Sequence, residues 1–154
     1  MGASQQQLQE LSQQLQQIQE EIEVLNEEVQ AVKDEQDAVD EAIDAIDQLE
    51  TGQTVQVPLG GGAYVRATVE DVDEIIVELG ADYALERDQA GATDTLENKK
   101  ERLDDRIEDL NEEITELESE SGELESHAQQ LQQQAMQQQM QQMQQGQQGQ
   151  GQDE

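Results

Sequence analysis

The sequence predicts an α+β protein: a long antiparallel coiled-coil hairpin, with two β-hairpins between its helices that assemble with those of other subunits into an oligomeric β-barrel platform. Three observations predict it. Both flanks of the chain carry apolar residues in a strict 3-4 alternation, and the middle switches to a period of two. The 154 residues include no Phe, Trp or Cys, only two Tyr, and Leu, Ile and Val make up about a fifth of the chain. So few large apolar side chains cannot fill a globule of this length, but they suffice for narrow seams and short strands.

The first helix is expected over 5–50. Leu8, Leu11, Leu15, Ile18, Ile22, Leu25, Val29, Val32, Val39, Ile43 and Ile46 fill eleven of twelve seam positions, with Gln36 the exception. A seam that narrow is a coiled-coil pattern. Gly52 follows as the stop signal. The second helix, expected over 88–140, repeats the pattern with Leu96, Leu103, Ile107, Leu110, Ile114, Leu117, Leu124, Ala128, Leu131 and Ala135, interrupted by Lys100 and Ser121. Asp94 and Glu97 have capping-box spacing near its start, although the helix has room to begin as early as Asp88. Residues 141–154 are Gln- and Gly-rich and read as a low-complexity tail without fixed structure.

Between the helices, 53–87 reads as four strands. Val55–Pro58 precedes a Gly60-Gly61-Gly62 turn, and Ala63, Val65, Ala67 and Val69 then alternate with polar or aromatic neighbours. Ile75–Leu79 and Tyr83–Glu86 flank a second turn at Gly80-Ala81-Asp82. Two small hairpins leave open edges and bury little by themselves. Pairing with hairpins of other subunits is the physical remedy, so Val55, Val57, Leu59, Val65, Val69, Ile75, Val77, Leu79, Tyr83 and Leu85 are the candidate oligomerisation residues.

The formal charge is −31, with 38 acidic and 7 basic residues. This disfavours nucleic acid and anionic membrane surfaces as partners. No apolar run is long enough to span a bilayer, and the N-terminal residues form neither a signal peptide nor a myristoylation pattern. A cytoplasmic location is the default. Dispersed acidity with three Lys resembles proteins of organisms that accumulate molar salt, where screening shortens to about 3 Å. All seven basic residues lie between Lys33 and Arg106. Matching seam layers whose numbers sum to about 139 sets Gln36 opposite Leu103, Val39 opposite Lys100 and Leu8 opposite Leu131. It also brings Lys33 near Asp104, and Glu28 and Glu35 near Lys99 and Arg106. The outer arms then carry only acids, and α2 outruns α1. Met136, Met140 and Met143 fall on that overhang at i, i+4, i+7, suited to adaptable apolar contact.

No catalytic constellation emerges. Gly60-Gly61-Gly62 lacks a following Gly-Lys-Ser/Thr, and the single His127 has no Cys or second His to share a metal. No enzyme activity, metal or cofactor is expected.

Val57-Pro58-Leu59-Gly60-Gly61-Gly62-Ala63-Tyr64-Val65, followed by Ile76-Val77-Glu78-Leu79-Gly80-Ala81-Asp82-Tyr83-Ala84-Leu85-Glu86, resembles the α class of archaeal prefoldin subunits, and the two hairpins match that class. The acidity, Gly91 and the Gln/Met tail depart from its pattern. The resemblance implies a hexamer of two α and four β subunits. It also implies an ATP-independent holdase that captures unfolded clients at the coiled-coil tips and delivers them to a group II chaperonin. The tip residues would be Leu8, Leu11, Leu15, Leu124 and Leu131, with Met136, Met140 and Met143 beyond. A static coiled-coil scaffold with fixed partners is the rival reading.

Overall fold

The structure is a computed structural model that describes residues 2–150, with side chains described for 4–146. Two long helices, α1 (Gly2–Gln48) and α2 (Gln89–Gln150), enclose four strands: β1 (Thr54–Gly60), β2 (Ala63–Thr68), β3 (Ile75–Gly80) and β4 (Tyr83–Arg87). The strands form two separate antiparallel hairpins, β1–β2 and β3–β4. The chain divides into two units, a hairpin unit (Val29–Asp109) and a helical unit (Met1–Glu28 with Leu110–Glu154).

In the hairpin unit both reversals use one device. Gly60 and Gly80 interrupt the register at φ +98° and +93°, and two left-handed residues follow each. Gly61-Gly62 adopt that conformation freely, whereas Ala81 and Asp82, at φ +50° and +64°, adopt it with a Cβ in place. Two consecutive positive φ values match the right-handed twist of the flanking strands. Val55 pairs with Ala67 and Val57 with Val65, which collects the apolar side chains of the first hairpin on one face.

The second hairpin is anchored differently. Val77 is 5% exposed and packs in one cluster with Val39, Ile46, Ala92 and Leu96, bordered by Ala42, Ile43, Ile75 and Leu103. This is the core of the unit, and it joins β3 to both helices. The small Ala92, fully buried, lets the strand approach α2 closely.

The start of α2 is built around Asp88. Its carboxylate accepts from the Gly91 amide at 2.7 Å, and its carbonyl accepts from the Ala92 amide at 2.8 Å. Asp88 is thus the N-cap, and the Asp94/Glu97 pair lies inside the helix: the capping-box spacing was a coincidence in an acid-rich sequence. Gly91 now has a reason. A Cβ there would meet the Asp88 carboxylate oxygen at 2.6 Å. Asp88→Ala is expected to cost about 1 kcal/mol. Gly91→Ala should destabilise the native chain, yet stabilise the Asp88→Ala background, where only helix propensity remains. Urea unfolding of the four variants at constant molar KCl reads that reversal of sign. At the other junction the Gln89 amide donates to the carbonyls of Ile46 and Leu49, satisfying the C-terminal end of α1.

In the helical unit the seam holds as read: Leu11, Ile18, Leu110 and Ile114 are buried. α2 runs on through Gln150, so 141–150, assigned by composition to a tail, are helical. Gln and Met are good helix formers, and no Pro interrupts them. Residues 151–154 of that tail lie outside the described residues. Ser4, Gln5 and Leu8 share a small cavity with Ala135, Gln138, Gln139 and Gln142. The first turns of α1 therefore lie beside α2 as far as Gln142.

Candidate functional site

A break in the seam of the hairpin unit is filled by polar groups. The Gln36 amide donates to the Asp104 carboxylate and, at 3.3 Å, to the Lys100 carbonyl. Lys100 Nζ lies 2.8 Å from Asp40, and Lys99 Nζ lies 3.5 Å from Glu35. The Glu35–Lys99 pair is one the charge pattern anticipates. Asp104 instead receives the Gln36 amide, and Asp40 is a partner the seam reading missed, because it neighbours the seam position Val39 expected opposite Lys100. The Gln36–Asp104, Asp40–Lys100 and Asp47–Thr93 hydrogen bonds descend along α2 as they ascend along α1, so the helices are antiparallel within the unit.

The hydrogen bond and charge of Asp40 hold the Lys100 ammonium above its ordinary 10.5, with Asp104 and Glu97 adding to the effect. A raised lysine pKa contributes stability that is fully present below the unfolded value and fades as pH rises through the folded one. The pair is therefore expected to be insensitive to pH from 6 to 9, a range below both values. A lysine-selective NMR titration of Lys100 should show a midpoint above that of the Asp40→Asn variant.

The candidate oligomerisation residues separate into two groups. Val77 is buried in its own chain, and Val55, Val69, Ile75 and Leu79 are half-buried. Val57, Leu59, Val65, Tyr83 and Leu85 are exposed, Leu59 to 68%. Two further exposed apolar residues belong with them. Tyr64 lies on the other face of the first hairpin, and Ile76, 71% exposed, lies on the face of β3 opposite Val77. The run Ile75-Ile76-Val77 carries the signal: three apolar residues in succession mean a strand apolar on both faces. Each two-stranded sheet also leaves both outer edges unpaired by other strands of the described chain.

The tip candidates separate similarly. Leu11 is buried and Leu8, Leu15, Leu124 and Leu131 are half-buried along the seam, where the helices use them against each other. Met136, Met140 and Met143 are 67–75% exposed on one face of α2. These Met side chains are available to another molecule as they stand, whereas the leucines become so only if the helix pair opens. Among the described residues no group of His, Cys, Asp or Glu is arranged to hold a metal, and no helix is long and apolar enough to cross a membrane.

The sequence profile of the Prefoldin family, described as prefoldin subunit, matches residues 18–134. A prefoldin subunit alpha of Halorubrum lacusprofundi is 60% identical over 104 residues, 68% of each chain. That of Haloquadratum walsbyi is 60% identical over 103 residues, 67% of each chain. That of Haloarcula marismortui is 64% identical over 56 residues, so the match spans 36% of that relative's length. Among solved structures, a chain of filamentous PFD from Methanocaldococcus jannaschii superposes with a TM-score of 0.52 at 22% identity, covering 79% of this chain and 97% of that one. The prefoldin beta subunit of Thermococcus strain KS-1 gives 0.51 at 22% identity, covering 80% and 90%. These two likenesses support the fold. The relatives from salt-loving archaea also fit the acidic composition. With helices, twin hairpins and profile in agreement over most of its length, the chain belongs to the prefoldin family.

Proposed function

We propose that the chain is the α-type subunit of an ATP-independent holdase that works in the cytoplasm. In this reading two copies join four prefoldin β subunits through the hairpins, whose strands close into a barrel platform. The ends of the helix pairs capture unfolded proteins and deliver them to a group II chaperonin. The observation that carries the proposal is the surplus of exposed apolar side chains at two separate places: the hairpins, and the Met136/Met140/Met143 face. The hairpin surplus suits a permanent interface, being rigid and strand-borne. The methionine surplus suits transient partners, since Met is flexible and polarisable and accepts many shapes. Several weak contacts on separate subunits add up through avidity.

Aggregation of an unrelated chemically denatured protein, followed by light scattering in molar KCl, tests the reading. The chain assembled with a β-class partner should suppress scattering. Met136→Gln/Met140→Gln/Met143→Gln should weaken that suppression while leaving the native mass of the assembly unchanged. Val57→Asp/Ile76→Asp should reduce the native mass to smaller species. An intact assembly that fails to slow aggregation overturns the holdase reading in favour of the static scaffold.

A further inference from the structure

The helical unit holds an apolar residue that neither the seam nor the methionine face uses. Val24 lies two positions after the seam residue Ile22 and is 61% exposed. Beside it, Leu25 and Leu117 form the floor of an open groove of about 690 Å³, rimmed by Glu20, Glu21 and Glu113. Glu21 and Glu113 each precede a seam residue, Ile22 and Ile114. In an antiparallel pair such positions share one flank, so two carboxylates face the same gap. Like charges across a coiled-coil flank disfavour pairing, and the unit contains no lysine or arginine to offset them.

We propose that this groove is a docking site for a short amphipathic segment bearing Lys or Arg, supplied by another protein. Apolar side chains of the segment would cover Val24, Leu25 and Leu117, and its cationic groups would lie between Glu21 and Glu113 and against Glu20. The choice of a basic occupant follows from charge complementarity: an acidic or neutral segment leaves the carboxylate pair without a counter-charge. At molar salt, attraction at a distance is screened to about 3 Å, so the preference must act through direct contact. Salt meanwhile favours covering the apolar floor. The volume is in the ordinary range for a ligand cleft, roughly 300–1,000 Å³. The site lies on residues separate from the Met136, Met140 and Met143 face and does not depend on the holdase reading.

The test uses the full chain in its native assembly, in molar KCl. The probe is a fluorescein-labelled peptide of about twelve residues, roughly three helical turns, with Leu and Lys at helical spacing. A second peptide carries Glu at the Lys positions. Anisotropy titrations should show binding of the Lys peptide and none of the Glu peptide. Val24→Gln and Glu21→Gln/Glu113→Gln should each weaken binding about fivefold or more, the equivalent of roughly one good contact. Met136→Gln/Met140→Gln/Met143→Gln should leave it unchanged. All these positions are exposed or on the rim, so circular dichroism should show that each variant retains its helix content. Equal affinity for the two peptides, unchanged affinity in the groove variants, or loss confined to the Met variant overturns the proposal. Failure of the aggregation assay with peptide binding intact would remove the holdase reading and leave this site standing.

Discussion

Withdrawal of salt is expected to melt the helical unit before the hairpin unit. In residues 2–28 and 110–150 acids such as Glu20, Glu21, Glu112, Glu113 and Glu116 have no lysine or arginine within the unit. At molar ionic strength their repulsion reaches about 3 Å, and at about 0.01 M it reaches roughly 30 Å. The hairpin unit behaves oppositely. Lys99–Glu35 and Lys100–Asp40 join its two helices, and these exposed pairs strengthen slightly as screening falls. Its core around Val77 needs no counter-ions. Hydrogen exchange during dialysis from molar KCl should therefore show protection lost first around Leu11 and Leu124, and retained around Val39, Ile46 and Leu96. Helix content by circular dichroism should fall in the same step. Undiminished protection of both units at low salt would contradict this account.

The second large effect distinguishes two apolar residues of the same composition class. Val77→Asp places a carboxylate among the apolar side chains of Val39, Ile46, Ala92 and Leu96. An unpaired buried charge of this kind is expected to cost about 3–5 kcal/mol, limited by protonation of the new side chain. Because the cost falls as the carboxyl protonates, the variant should regain stability on acidification from pH 7 to 5, unlike the parent. Val57→Asp, on an exposed strand face, should change the unfolding free energy of the isolated chain by no more than about 0.5 kcal/mol. Urea denaturation of both variants in molar KCl reads the contrast. Equal losses would mean that β1 and β3 are equally committed to intramolecular packing.

That contrast also shows where sequence reasoning ran out. The seams and strands were legible because period and turn chemistry are local: the four strands lie within two residues of the spans read from alternation. Alternation identifies which side chains seek an apolar environment, but not whose. Val77 and Val57 look alike in sequence, and only the packing of β3 on Ala92 and Leu96 separates a core residue from an interface candidate. The cap was ambiguous for another reason. An acid-rich helix contains many D-x-x-E spacings, and only the backbone direction at Asp88 selects one. A seam of repeated heptads fits itself at several offsets, so spacing alone leaves the register open by one heptad. The Gln36–Asp104 and Asp40–Lys100 contacts break that degeneracy only in the hairpin unit. Val24 escaped because attention to the seam treats an off-seam apolar residue as incidental.

The two compact reversals also bear on how the molecule is made. Each hairpin closes on itself through a two-residue turn, with all of its strand partners nearby in the chain, and such elements form in roughly 1–10 microseconds. α1 has no such neighbour. Its seam partners lie from Leu96 onward, so during synthesis at about 5–20 residues per second Leu8 and Leu11 wait several seconds for the matching residues of α2. Throughout that interval a growing chain displays a bare row of aliphatic side chains on a completed or fluctuating helix. A nascent copy of this protein is, for those seconds, an exposed apolar polypeptide of the kind that finished copies are proposed to hold.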